Sequence, residues 1–339
     1  MSQENEETDA IVVGAGPAGL FAVFALGMLR LRCHVVETLE AVGGQLAALY
    51  PTKPIYDMPG FPAITAAEVV ERLAGQAEPF APHYHLASRA ETLARTPDGR
   101  WRMGLSSGRG LTAPVVVIAA GAGAFGPNRP PLAGIEDYEG KSVFYVVTRR
   151  QDFAGKRVVI AGGGDSAADW AIELAEVAAS VQVVHRRPRF RCAPESEARL
   201  KALAESGRIE LVVPCQLDAL EGAEGRLAAV VVADLDGNRR RLEADVLLPF
   251  FGLAGELGAI AQWGLAMDQH RIAVDPATLA TNLPGVFAIG DVAAYPGKLK
   301  LILQAFSEAA MMAQAAHAVA RPGTALHFEH STTSGVPTL

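Results

Sequence analysis

The sequence predicts an α/β fold made of two similar halves. Three observations predict it. An apolar run, a glycine-rich turn, a helix-like stretch and a second apolar run occur in that order twice, from residue 9 and again from residue 156. Each occurrence is followed by paired segments around an Asp-Gly turn, Asp98-Gly99 and then Asp236-Gly237. Each half closes on one more apolar run ending in small residues, APVVVIAAGAG (113–123) and ADVLLPFFGLAG (244–255).

Taken in order, DAIVVG (9–14) is a short apolar run ending in glycine, the pattern of a buried parallel strand. GAGPAG turns the chain, FAVFALGMLRL reads as a helix, and CHVVET (33–38) is the next strand, which completes a β-α-β unit. YHLASRAETLARTPDGRWRMGL then forms a small antiparallel excursion. In the second half KRVVIAG is the strand, GGGDSA the turn, AADWAIELAEVAA the helix and SVQVVHRR the following strand, with Gly162 matching Gly14. IELVVPCQLDAL and LAAVVVADLDGNRRRL form its antiparallel excursion. NLPGVFAIGDVA (282–293) adds a short strand, and KLILQAFSEAAMMAQAAHAVA is a long apolar helix that must be buried on one of the halves. The expected architecture is two Rossmann-like, three-layer dinucleotide-binding domains.

The bulk properties narrow the function. The chain has 339 residues, enough for two domains, half of them hydrophobic and a fifth charged. A net charge of -7 argues against binding nucleic acid or anionic membranes. MSQENEETDA lacks the basic and apolar regions of a signal peptide. The apolar run at 114–125 is too short and glycine-rich to span a bilayer. Cys33, Cys192 and Cys215 are far apart and odd in number, which suits small apolar fillers in a reducing cytoplasm and offers no metal-ligand spacing. No metal is expected.

The two glycine loops differ in the residues downstream of them. Gly14, Gly16, Pro17, Ala18 and Gly19 lie in a GxGxxG turn between a strand and a helix, and Glu37 ends the next strand. Glycine lets the backbone approach a pyrophosphate, the helix N-terminus supplies N–H donors, and the acid accepts ribose hydroxyls. The second loop, Gly162, Gly163, Gly164, Asp165, Ser166 and Ala167, is a GxGxxA variant. At the same offset it carries His185, followed by Arg186, Arg187, Arg189 and Arg191. An acid there would repel a 2′-phosphate, whereas arginines bind it, each charge-assisted bond contributing roughly 1.5 to 3 kcal/mol. Two loops with opposite charge imply two ligands, a flavin and NADP(H). Gly290-Asp291, after VFAI, adds a carboxylate that could accept from the ribityl chain of FAD.

These motifs occur in the order seen in thioredoxin reductases, and the whole chain resembles that architecture. A thioredoxin reductase carries a CxxC dithiol just before the second loop. Aligned on Tyr145, this chain has Val146, Val147, Thr148 and Arg149 there. More specifically, GGQLAALYPTKPIYDMPGFP (43–62), GGGDSAADW (162–170) and the tail HSTTSGVP (330–337) are similar to the thioredoxin-reductase-type ferredoxin–NADP⁺ reductases. The resemblance implies a discontinuous FAD domain, 1–122 with 255–339, and an NADPH domain, 123–254, joined by two glycine-containing crossovers about which the NADPH domain turns. It places FAD contacts at Glu37, Gly44, Gln45, Tyr50, Ala90, Phe125, Gly290, Asp291 and Thr332. Tyr50 would stack on the isoalloxazine, Thr332 would reach the region near N5, and His330 would lie near the other ring face. The tail would come from a partner subunit, which implies a homodimer.

On this resemblance, NADPH gives a hydride to the flavin, which passes electrons singly to ferredoxin. Ferredoxins are acidic, and so is this chain; Arg149, Arg150, Lys298, Lys300 and part of the Arg186–Arg191 run are candidates for a local basic patch. Other acceptors (flavodoxin, quinone or oxygen) and a non-catalytic NADPH sensor are the competing readings.

Overall fold

Alanine, valine and isoleucine fill Ala10–Val13, and all four are buried, so both faces of this strand need cover. The structure, a computed structural model, describes residues 5–147, 149–326, 332 and 335–337, with the backbone alone described at 124–127 and 253–256. These residues fall into two compact units, within Met1–Phe125 plus Gly255–Leu339 and within Gly126–Ala254.

The first unit is built on a five-stranded parallel sheet in the order Val286–Ala288, Val115–Ile118, Ala10–Val13, Cys33–Val36, His83–His85. Val12 sits opposite Val35 on one side and Val117 on the other. One face is covered by Pro17–Met28 and by Ile302–Ala320, whose Ala309, Met312, Ala313 and Ala316 pack among Ala22, Val23 and Leu26. Small residues let these helices approach closely, and truncating a large one such as Met312 to Ala would cost about 2–5 kcal/mol. The other face meets Trp101, Met103 and Leu111 of a second sheet, ordered Asn5–Glu7, Gly110–Ala113, Trp101–Leu105, Ala90–Arg95. The layers are thus helix, parallel sheet and antiparallel-rich sheet.

The second unit repeats the plan. Its parallel sheet runs Ile209–Val212, Ser180–Val184, Arg157–Ala161, Val246–Pro249, and three antiparallel strands, Gln216–Ala223, Arg226–Ala233 and Arg239–Glu243, cover it. The Asp-Gly turns fall between antiparallel strands as expected, with Gly99 N–H donating to Thr96 O at 2.9 Å and Gly237 N–H to Asp234 O at 3.2 Å.

Two segments depart from expectation. His83–His85 and Ile209–Val212, read as parts of the antiparallel excursions, are instead the edge strands of the parallel sheets. Each follows a helix that was not expected, Ala66–Ala77 and Pro194–Glu205, which carries the chain across so that the strand adds in parallel. The signals were present. Thr65 and Glu68 form a reciprocal capping box, and Pro194 stands in the first turn. The crossover segments between the units are short strands, 124–127 and 253–256, hydrogen-bonded to each other. Among the described residues no helix is long and apolar enough to cross a membrane.

Candidate functional site

The strand order of the first unit reverses at Ala10–Val13, and a cleft opens at the carboxyl ends of the strands beside it, where α/β sheets bind ligands. The cleft has a volume of about 440 Å³, and Gly14, Gly16, Pro17, Ala18, Glu37, Gly44, Gln45, Ala90, Gly290 and Asp291 all line it. Gly14 holds a φ of +104°, and a Cβ there would lie 2.5 Å from Ala119 O on the neighbouring strand. A Cβ on Gly44 would come within 3.0 Å of Gly16 Cα, so the two glycines form a floor bare of side chains. Gly19 stands behind this floor: a Cβ on it would overlap Gly14 O at 1.9 Å.

Pro17–Met28 begins here without a side-chain cap or an acid in its first turn, which leaves its N–H groups and positive dipole end for phosphate. Glu37 is buried, and its two oxygens accept from Ala15 N at 2.7 Å and Leu39 N at 3.0 Å. Those bonds fix the carboxylate at the cleft and leave lone pairs for ribose hydroxyls. A glycine cradle with a free helix end and a fixed carboxylate fits the pyrophosphate and ribose of FAD.

A support for the cleft gave little sign of itself in the sequence. Glu308, in the middle of Ile302–Ala320, is 1% exposed. It accepts from Gly290 N at 2.7 Å, from the Tyr295 hydroxyl at 2.6 Å, and from Lys298 Nζ. Burial and the Glu308 carboxylate push the Tyr295 phenol up to about 12. The Gly290-Asp291 corner therefore rests on a buried ion pair. A charged residue on the buried stripe of an apolar helix is the one sequence signal that could have pointed to it.

Other expected residues fall elsewhere. Tyr50 ends the short helix Gly44–Leu49, is half-buried and is not among the residues lining the cleft. Lys53 Nζ lies 5.6 Å from its ring centroid. Thr332 is exposed. Phe125 is described by its backbone alone, and His330 lies outside the described residues. Ile260 and Lys300 line the cleft without having been expected there.

In the second unit a Cβ on Gly162 would lie 2.6 Å from Phe250 O, the counterpart of the Gly14 contact. Asp165–Leu174 starts at Gly164, again without a side-chain cap. The Asp165 carboxylate accepts from Ala193 N at 2.9 Å, and Arg191 N donates to Gly163 O at 2.6 Å, so the C-terminal end of the arginine run is pinned to the loop. His185 lies against Gly163, where a Cβ would strike its ring at 2.3 Å. Its Nε2 is buried with no hydrogen-bond partner. Burial lowers its pKa, aided by Arg191, Arg186 and Arg187 and opposed by a bond to the Arg189 backbone. Arg186, Arg187, Arg189 and Arg191 are exposed, and among the described residues none of them pairs with a carboxylate. An unsatisfied imidazole nitrogen and unneutralised guanidinium groups beside a glycine loop are a donor set that fits a 2′-phosphate.

The remaining basic-patch candidates are mostly spent. Arg149 pairs with Asp152 at 2.9 Å, Arg150 with Glu173 at 3.2 Å and Glu176 at 2.7 Å, and the Lys298 side chain is 2% exposed in its pair with Glu308. The expectation is corrected for Lys298, which is buried in its pair; Arg149 and Arg150 stay exposed beside carboxylates of their own unit. Lys300 stays exposed.

Comparison with known proteins gives the context. Residues 8–320 match the pyridine nucleotide-disulphide oxidoreductase family. The chain is 67% identical over 331 residues to a ferredoxin–NADP reductase of Paramagnetospirillum magneticum, covering 98% of each chain. It is 61% identical over 341 residues to a ferredoxin–NADP reductase of Rhodospirillum rubrum, covering 99% of each. Among solved structures, Lactococcus lactis thioredoxin reductase superposes with a TM-score of 0.77 at 22% identity, covering 92% of this chain and 99% of the other. Bacillus cereus bacillithiol disulfide reductase superposes with a TM-score of 0.78 at 17% identity, with the same coverage. At that identity the two structures speak to the fold alone, which is thioredoxin-reductase-like. The relatives, similar over nearly their whole length, go further: the chain belongs to the pyridine nucleotide-disulphide oxidoreductase family and, within it, to the ferredoxin–NADP reductases.

Proposed function

We propose that this chain moves electrons from NADPH through FAD to ferredoxin. The observation that carries the reading is the contrast of charge at the two glycine loops, in a chain whose segment at 145–149 reads Tyr-Val-Val-Thr-Arg and so has no dithiol to relay electrons. The flavin supplies the hydride chemistry and the conversion to single electrons. The chain's own residues bind, orient and shield. Loop amides of Gly16 and Ala18 and the helix behind them hold the pyrophosphate, Glu37 the adenosine ribose, and Asp291 the ribityl chain. Gln45 and the Ala90 backbone complete the FAD site, with Phe125 beside it. Gly162 to Ala167 receive the NADPH pyrophosphate, while His185, Arg186, Arg187 and Arg191 take the 2′-phosphate.

The rest of the reading rests on the family resemblance. The FAD domain is 1–122 with 255–339 and the NADPH domain 123–254. Tyr50, His330 and Thr332 attend the isoalloxazine, the tail belongs to a homodimer partner, and the protein works in the cytoplasm. Anaerobic NADPH should bleach the yellow protein, and adding ferredoxin should then drive cytochrome c reduction. Bleaching without ferredoxin-dependent turnover would move the acceptor elsewhere. Removing residues from His330 onward should alter the flavin spectrum and the ferredoxin rate but leave the KM for NADPH within about twofold. An unchanged spectrum and rate would place the tail away from the ring.

A further inference from the structure

We propose that Glu6, His34, His83 and His85 form a binding site for one divalent transition-metal ion of the zinc class, apart from the nucleotide cleft. Cys33–Val36 and His83–His85 pair in parallel with His34 opposite His83. Side chains alternate along a strand, so His83 and His85 emerge on the face that His34 shares. The rings meet there: His83 and His85 stack at 4.7 Å and 4°, and His34 lies 4.8 Å from His83 and 5.2 Å from His85. Glu6, from the Asn5–Glu7 strand of the other sheet, faces them. One of its oxygens is taken by Arg109 at 3.4 Å, which leaves Oε2 for the rings.

The spacing suits a metal. Glu6, His34 and His83 each offer a ligand atom within 4.8 Å of the others. Glu6 Oε2 is 3.8 Å from His83 Nδ1 and 4.0 Å from His34 Nδ1. His34 Nδ1 is 3.0 Å from His85 Nε2. Zinc with bonds of roughly 2.0–2.1 Å holds tetrahedral ligand atoms about 3.3 Å apart. The gaps among Glu6, His34 and His83 must close by roughly 0.5 to 1.5 Å, and His85, stacked on His83 at 4°, must turn as the His34–His85 gap opens slightly, with the metal replacing the proton those two rings share. Imidazole with carboxylate is a donor set for zinc, copper or nickel rather than calcium or magnesium. His85 is buried, His34 half-buried and His83 exposed, so the ion has an entry path and a fixed seat.

None of these four residues lines the nucleotide cleft, and sequence spacing hides the cluster because Glu6 is remote from the histidines in the chain. A bound ion would tie the Asn5–Glu7 strand to the sheet edge next to Glu37, whose N–H donates to His85 O at 3.0 Å.

The test uses tag-free, flavin-loaded protein stripped with chelator. Cobalt(II) titration at pH 7.5 should produce ligand-field bands that saturate at one equivalent and vanish on adding zinc. Zinc should raise Tm by at least ~2 °C. His83→Gln changes an exposed ring, and with Glu6→Gln it should weaken cobalt binding at least tenfold while leaving the flavin spectrum unchanged. His34→Ala can disturb the sheet, so His83→Gln decides. No saturable bands in the parent protein, or the same bands in His83→Gln, would overturn the site.

Discussion

The two glycine loops share a backbone plan and differ in how they are supported. Both bring their first glycine under a carbonyl of the next strand, Ala119 for Gly14 and Phe250 for Gly162. The first loop is the tighter. Its third motif position must be Gly19, because a Cβ would overlap Gly14 O, whereas the second loop holds a buried Ala167 at the matching position. Around the first loop the charges are inside the protein and satisfied: Glu37 by loop amides, Glu308 by Lys298, Tyr295 and Gly290. Around the second they are outside and unmet, in four exposed arginines. The ion pairs of the second unit are all solvent-facing on at least one side among its described residues, so none resembles the buried Lys298–Glu308 pair. A buried, finished site suits a nucleotide that stays; an exposed, unfinished one suits a nucleotide that comes and goes.

Substitutions can break this contrast. Lys298→Met strands the Glu308 carboxylate in the core and should cost about 3–5 kcal/mol of stability, with loss of flavin on purification. Adding Glu308→Leu should return part of that, as measured by thermal melts of both variants. Recovery by neither flavin nor melting point would mean that the pair does not act as a unit. Gly19→Ala should cost about 3 kcal/mol, the upper end of overpacking, and leave apoprotein. Ala167→Gly, its counterpart in the looser loop, should cost only about 1 kcal/mol and retain the flavin. Equal losses for these two changes would erase the difference between the loops.

Much of the site was legible because its signals are local. A glycine loop between strand and helix, an acid or an arginine run at a fixed offset and an Asp-Gly hairpin are each contained in a few residues, and physics ties each to one geometry. What was missed depends on burial or on distant partners. Lys298 looks like an ordinary loop lysine until Glu308 is placed beside it, and Arg149 and Arg150 look free until Asp152, Glu173 and Glu176 are. The Pro194–Glu205 helix is hard to see because it buries only Leu200 and shows only a first-turn proline, whereas Ala66–Ala77 carries both a capping box and a clear apolar stripe of Ala66, Val69, Val70, Leu73 and Ala77. Tyr50 and Thr332, chosen from resemblance rather than spacing, carry no local signal that ties them to the cleft, and neither lines it.

The division of labour between the loops is tested most directly by anaerobic reduction of the bound flavin with NADPH and with NADH, in the parent protein and in Arg186→Ala/Arg187→Ala. Two charge-assisted bonds at roughly 1.5 kcal/mol or more each predict at least a ~100-fold loss in apparent NADPH affinity, with NADH reduction changed less than about threefold. The parent should bleach fully at low NADPH and only slowly at the same NADH. Equal losses for the two nucleotides, or a parent that does not distinguish them, would contradict the assignment of the arginine loop to the 2′-phosphate.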